Sequence, residues 1–157
     1  MGELRALGLF VLAVVGLCAE PAAASDADEV AAVVRQFGEA VNKGDFMTAA
    51  QAQVADPDIV DEVPPYHWHG PGAPRAWLEG WKAYAEANGV TGQHMAFAGD
   101  LRVEVSGEQA YAVLPGIFSF NIKGAPVSET GALGAFVVKT TDGWRIKAWT
   151  WAGGKPR

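Results

Sequence analysis

The chain has little cysteine, few basic residues and no long apolar run, and each shortage excludes a class of protein. Among its 157 residues the one cysteine is Cys18, so no intramolecular disulfide can form and the core alone must hold the fold. Lysine and arginine number 12 against 18 acidic residues, which gives a net charge of −6. An acidic chain without a basic cluster argues against nucleic-acid binding.

Motifs for nucleotide and nucleophile chemistry are also missing from the sequence. It contains no G-x-S-x-G segment, no P-loop and no glycine fingerprint for a dinucleotide. We therefore expect no cofactor and no serine nucleophile.

The N-terminal segment has the composition of an export signal. A weakly basic start precedes an apolar run over 6–19, and three alanines end at Ala24. This order predicts a signal peptide at 1–24 and a single mature domain at 25–157. The apolar run is short for a bilayer span, and the alternatives are a retained anchor or a lipoprotein attached through Cys18. We predict an exported protein, periplasmic or extracellular, with no membrane contact after the signal is removed.

Hydrophobic periodicity predicts helices first and strands afterwards. Helices are expected at 28–43, 45–53 and 74–88, the first with a capping box formed by Asp26 and Glu29. Strands are expected at 59–63, 66–69, 95–106, 110–122, 130–139 and 144–152, with a bulge or a bend at Pro115 and Gly116. This order indicates an α+β domain.

Three segments resemble nuclear-transport-factor-2-like proteins. They are VVRQFGEAVNKGDF at 33–46, HWHGPGAPRAW at 67–77 and FVVKTTDGWRIKAWTW at 136–151. The similarity extends over about 28–152 and is greatest to the SnoaL-like and ketosteroid-isomerase-like branch. It implies a cone in which a strongly bent antiparallel or mixed sheet is wrapped by about three N-terminal helices. It also implies a pocket at the open end and pairing of subunits through the convex sheet face.

The resemblance does not extend to the oxyanion hole of the isomerases. Alignment puts Phe37 in place of the tyrosine donor and Gly134 near the place of the acidic donor, and neither side chain donates a hydrogen bond. The position of the catalytic base falls on Glu62. Steroid isomerisation is therefore not expected, although a carboxylate is retained.

Two adjacent carboxylates, Asp61 and Glu62, are the main candidates for acid–base chemistry. If Pro64-Pro65 is a two-residue connection, Asp61 lies opposite Trp68 on an apolar face and Glu62 lies opposite His67. Burial would raise the pKa of Asp61, and Glu62 would be an ordinary acid. The family alignment favours Glu62, and a register slip of one residue exchanges the two. Candidate catalytic residues are thus Asp61, Glu62 and His67. The alternative is that one carboxylate is solvated and the other accepts a structural hydrogen bond, for example from the Trp68 indole.

Aromatic residues from several predicted elements converge on the expected pocket. The candidate ligand-binding residues are Phe37, Tyr66, Trp68, Trp77, Trp81 and Phe118. They suit a small apolar or aromatic molecule, and the alternative is that they fill the core.

Two further patterns concern a subunit interface and a metal. Trp149 and Trp151 share the alternation of Arg145 and Lys147, which predicts that they lie on the convex face of a homodimer. The H-x-H pair beginning at His67 could bind a metal with His94 or Glu62, but no second cluster completes a site, and we predict none.

These patterns predict an exported small-molecule-binding protein with an apolar, aromatic-lined pocket and no assignable activity. The alternative is a cofactor-free isomerase, cyclase, dehydratase or hydrolase that uses a pocket carboxylate as its general base.

Overall fold

A computed structural model describes residues 24–157, so all of the predicted signal peptide except Ala24 lies outside the described residues. Helices and strands follow in the order α1 Asp26–Lys43, α2 Phe46–Gln51, β1 Gln53–Val60, β2 His67–His69, α3 Ala73–Asn88, β3 Val90–Phe97, β4 Arg102–Ser106, β5 Gln109–Ile122, β6 Ala125–Thr140 and β7 Gly143–Gly153. The predicted α+β class is confirmed. Within 24–157 no helix has the length and apolarity needed to cross a membrane.

Local hydrogen bonds set the ends of α1. The Ser25 hydroxyl accepts a bond from the Asp28 backbone N–H at 3.2 Å, and the Asp28 carboxylate accepts one from the Ser25 N–H at 3.2 Å. This capping box lies one residue before the pair predicted from the sequence. Gly44 ends the helix with a φ of 71°, a left-handed conformation that glycine adopts without strain.

The strands form one open, mixed sheet. Their order is β2-β1-β7-β6-β5-β3, with β4 also paired to β5. β1 runs parallel to β7, and the other pairs are antiparallel. α3 contacts β1 and β2 at one edge and β3 at the other. The sheet therefore curls round the helices as the predicted cone.

The middle of β5 marks a change of partner strand. β4 pairs with residues 109–113 of β5, and β3 pairs with residues 116–122. The predicted bulge at Pro115 and Gly116 is not formed against β6, because β5 keeps one register with β6 throughout. These two residues lie instead where the neighbour changes from β4 to β3.

A bulge interrupts the pairing of β7 with β6. Val137 pairs with Ile146, and the preceding residue Phe136 pairs with Ala148. Lys147 is therefore an extra residue in β7. From this point the alternation of side chains between the two faces of the sheet is reversed.

The reversal moves two tryptophans to the inside of the cone. Trp149 and Trp151 are 6% and 8% exposed. The prediction that they share the convex face with Arg145 and Lys147 is therefore wrong. It assumed an unbroken alternation, which the bulge at Lys147 removes.

The connection between β1 and β2 also differs from the prediction. Val60 pairs with His67, so the register differs by two residues from the one that a Pro64-Pro65 turn would give. The chain leaves the ladder after Val60 and forms a loop over 61–66. A bond from the Asp61 N–H to the Tyr66 carbonyl, 3.1 Å long, closes this loop.

Candidate ligand-binding site

A cavity of about 610 Å³ lies between the concave face of the sheet, α3 and the C-terminal part of α1. Its volume is that of a typical small-molecule site, and such sites are mostly apolar. The aromatic residues that line it are Phe37, Phe46, Trp77, Trp81, Tyr84, Phe97, Phe118, Phe120, Trp149 and Trp151.

Only some of the aromatic residues predicted from the sequence reach this cavity. Phe37, Trp77, Trp81 and Phe118 line it. Tyr66 and Trp68 do not. Tyr66 is 57% exposed on the 61–66 loop, and Trp68 is buried against Gly80 of α3.

Two aromatic clusters form much of the wall. The Trp149 ring lies 5.0 Å from that of Trp77 in an edge-to-face arrangement at 87° and 5.2 Å from that of Phe37. In the second cluster the ring centroids of Phe118 and Trp81 are 6.0 Å apart. Such contacts stabilise by roughly 0.5–1.5 kcal/mol per pair beyond simple burial, so they hold the wall in one shape.

Asp61 is hydrogen-bonded to the first of these clusters. The Trp77 indole N–H donates to Asp61 Oδ2 at 2.6 Å, and the Glu62 backbone N–H donates to Oδ1 at 2.7 Å. Burial raises the pKa of Asp61, and the two hydrogen bonds oppose this effect. The indole that holds Asp61 belongs to Trp77, whereas the sequence suggested Trp68.

A second carboxyl group at the cavity, Glu129 of β6, was missed by sequence reasoning. It is only 4% exposed and accepts a hydrogen bond from the Trp151 indole at 2.7 Å. It lies close to Glu62, whose Oε1 accepts a bond from the Gly153 backbone N–H at 2.9 Å. A side-chain carbon at Gly153 would lie 2.5 Å from Glu62 Oε1 and 2.6 Å from Glu129 Oε1. The two carboxyl groups therefore approach each other over the bare backbone of Gly153.

This proximity perturbs the titration of Glu62. Burial and repulsion from Glu129 raise the pKa of Glu62 to about 7, although the hydrogen bond from Gly153 opposes the shift. Near neutral pH Glu62 is therefore present in both its protonated and its ionised form. The expectation that Glu62 is an ordinary acid is therefore wrong, while the pKa of Asp61 is raised by burial as expected.

His67 lies away from this group, on the exposed outer side of the sheet edge. Its Nε2 is 3.3 Å from Asp58 Oδ1, and His69 Nδ1 is 2.9 Å from the same oxygen. The bonds from His69 and His67 lower the pKa of Asp58. The predicted contact of His67 with Glu62 is therefore not formed. Over 24–157 no group of three or more His, Cys, Asp or Glu side chains is arranged to hold a metal ion.

Comparison with known proteins identifies the fold through solved structures alone. No family model matches the chain, and no curated protein matches it. An NTF2-like protein with a cystatin-like fold from Novosphingobium aromaticivorans superposes with a TM-score of 0.63 at 21% identity, over 82% of this chain and 81% of that one.

Two further structures give the same result. An NTF2-like superfamily protein from Salmonella enterica has a TM-score of 0.66 at 17% identity, over 83% and 92% of the two chains. A ketosteroid isomerase-like protein from Erwinia carotovora has a TM-score of 0.68 at 15% identity, over 83% and 98%. The chain thus has the fold that its sequence resembles, that of the nuclear-transport-factor-2-like superfamily.

Proposed function

We propose that this protein binds a small, largely apolar molecule in the cavity of the cone. The observation that carries the proposal is the aromatic lining of the cavity, which includes four of the six tryptophans of the chain. Flat aromatic side chains bury large areas of a planar or apolar ligand at little entropic cost. The fold alone supports no particular ligand, because one fold serves many functions.

Fluorescence titration with N-phenyl-1-naphthylamine, a neutral apolar dye, tests this proposal. The dye should bind the wild type with enhanced emission, and Trp81→Ala should weaken binding at least tenfold because Trp81 lines the cavity. Tyr66→Ala is the matched control, since Tyr66 is exposed and lies outside the lining. Equal losses in both variants, or no binding by the wild type, would contradict the proposal.

A second candidate function, acid–base catalysis without a cofactor, is favoured by the Glu62–Glu129 pair. A carboxyl group with a pKa of about 7 can donate and accept protons at neutral pH. Asp61 lies next to it in the chain and also lines the cavity. The candidate roles are a proton donor at Glu62 and a base at Asp61 or Glu129.

Hydrogen–deuterium exchange of an aromatic ketone checks this second function. Protein in D₂O should accelerate exchange of the α-protons of 2-indanone, followed by proton NMR. Glu62→Gln should abolish the acceleration, and Asp58→Asn should leave it unchanged because Asp58 bonds His67 and His69 outside the cavity. Exchange at the rate of protein-free buffer would reject catalysis of this type.

Export and dimerisation remain part of the proposal. The N-terminal composition supports export, and sequencing of secreted material should begin at Ser25.

Exposed apolar side chains on the strands now support a homodimer in place of the two tryptophans. They are Tyr111, Ile117 and Phe136, at 48%, 41% and 37% exposure. Phe136→Glu should give a monomer in sedimentation velocity, and an unchanged mass would contradict this interface.

A further inference from the structure

The carboxyl groups of the cavity have hydrogen-bond donors but no cation. The donors to Asp61, Glu62 and Glu129 are two indole and two backbone N–H groups. None of the ion pairs formed within 24–157 includes any of the three. Of the three only Glu129 is fully buried, and a buried carboxylate is usually paired with a positive charge, because an unpaired one is costly. A charge partner is therefore missing from this part of the described chain.

The donors in this part of the cavity are already engaged. The indoles of Trp77 and Trp151 donate to Asp61 and Glu129, so they are not free for an anionic or carbonyl ligand. What the wall presents to a ligand is carboxyl oxygen. The polar group of a well-matched ligand must therefore donate hydrogen bonds, and a positive charge on it would be favoured.

The surroundings of the carboxyl groups also suit a cation. Phe118 is the cross-strand partner of Glu129 and packs edge-on against Trp81, while Trp151 bonds Glu129 directly. Aromatic faces attract organic cations, and the attraction becomes stronger as water is excluded. Carboxylates with aromatic rings beside them form a complementary site for an ammonium group.

The lysines and the histidine of the cavity lining form no ion pair with these carboxyl groups within residues 24–157. Lys43, Lys82 and His94 line the cavity, and all three side chains are exposed. Lys43 forms an ion pair with Glu39 at 3.4 Å. Lys82 and His94 form none within residues 24–157.

We propose that the ligand is an organic cation, an aromatic or otherwise apolar amine whose ammonium group lies among Asp61, Glu62 and Glu129 and whose body packs on the aromatic wall. This inference rests on the proposed binding function and assigns a ligand class to the same cavity.

The proposal predicts how many protons are released when the ligand binds. In the free protein at about pH 6 Glu62 is largely protonated, because its pKa is about 7. The ammonium enters with its own proton, and the proton of Glu62 leaves to solvent, so Glu62 is ionised in the complex. Binding should therefore release about one proton at pH 6 and close to none at about pH 8.5.

Calorimetry with three probes of matched shape tests the ligand class. The probes are 2-naphthylmethylamine, 2-naphthylmethanol and 2-naphthoate, titrated at both pH values in two buffers of different ionisation enthalpy. The amine should bind at least tenfold more tightly than the alcohol, and the naphthoate should bind most weakly. Buffer dependence of the heat should reveal the released proton at the lower pH.

Variants separate this inference from the general binding function. Glu129→Gln should weaken amine binding at least tenfold more than it weakens alcohol binding, with Glu62→Gln as a second variant if the first does not fold. Asp58→Asn removes an equal charge outside the cavity and should change neither. Alcohol or naphthoate binding as tight as that of the amine would overturn the cation assignment and leave the cavity function intact. Failure of all three probes and of the neutral dye would instead reject the binding function itself.

Discussion

At the scale of single residues, the site depends on a glycine that leaves room for two acids. Glu62 and Glu129 are 67 positions apart in sequence and meet over Gly153. The sequence identified Glu62, because it is adjacent to Asp61 and aligns with a known base. It did not identify Glu129, although its numbering parity matches Leu133, a residue on the buried face of β6. The expected strand began at residue 130, whereas β6 begins at Ala125 and so includes Glu129.

The raised pKa of Glu62 should make folding stability depend on pH. The pKa of Glu62 is higher in the folded protein than its ordinary value of 4.5, so the folded state binds the Glu62 proton more tightly than the unfolded state. The stabilisation is complete below about pH 4.5 and is lost as the pH rises through about 7. Glu62→Gln removes this dependence, so in thermal unfolding its midpoint should exceed that of the wild type at pH 8 by more than it does at pH 5. Glu79→Gln, at an exposed ion pair with Arg75, is the control and should show no such trend.

A methyl group at Gly153 should disturb both carboxyl groups at once. In Gly153→Ala the added carbon would lie 2.5 Å and 2.6 Å from the two Oε1 atoms, closer than van der Waals contact allows. We expect a loss of about 1–3 kcal/mol in the free energy of unfolding and weaker binding of the neutral dye. Gly134→Ala in β6 is the control, since its added carbon meets only Thr150 at 3.4 Å. Equal denaturation midpoints for the two variants would show that the carboxyl groups of Glu62 and Glu129 move away from the added methyl group without cost to stability.

At the scale of the secondary-structure elements, the sequence predicts which helices and strands form better than it predicts which of their side chains point into the core. The amphipathic pattern and terminal glycine of α1, and the proline and terminal glycine of α3, predict both helices to within two residues. The strands expected at 130–139 and 144–152 correspond to the antiparallel pair β6 and β7. The prediction of which β7 side chains share a face is wrong because of the bulge at Lys147. This bulge depends on the pairing of β7 with β6 and has no local sequence signal. For the same reason Trp149 and Trp151 were not among the residues predicted to line the cavity.

One asparagine links α1 by two hydrogen bonds to β3, a strand of the cavity wall. The Asn42 side chain donates to the Met95 carbonyl at 3.0 Å and accepts from the Met95 N–H at 2.9 Å. Asn42→Ala leaves both backbone groups without these partners and should cost about 1–3 kcal/mol of unfolding free energy. Asn88→Ala, which removes a single bond to Tyr84 within α3, should cost less. Urea denaturation of the pair measures the difference, and equal midpoints would contradict a fastening role for Asn42.

At the scale of the whole molecule, the open cavity lies in a domain held together by one core. Residues 24–157 contain no cysteine, so no disulfide offsets the packing lost to an empty cavity of about 610 Å³. A ligand that binds only the folded state stabilises it in proportion to the logarithm of its concentration.

Occupancy of the cavity should therefore raise the melting temperature. At a hundredfold excess over its dissociation constant, 2-naphthylmethylamine should add about 2.7 kcal/mol, or roughly 8–12 °C for a domain of this size. Differential scanning fluorimetry measures the rise, and Glu129→Gln should reduce it. An unchanged midpoint at saturation measured by calorimetry would show that the amine binds folded and unfolded chains alike.

The contact between Trp77 and Trp149 has an optical consequence. Their indoles lie edge to face at 5.0 Å, close enough for the electronic transitions of the two rings to couple. The near-ultraviolet circular dichroism of the protein should therefore contain an excitonic component that belongs to the pair and to neither ring alone. Trp149→Phe should remove this component while leaving the far-ultraviolet spectrum unchanged. Because both indoles line the cavity, the coupled signal offers a label-free record of whether the cavity is filled.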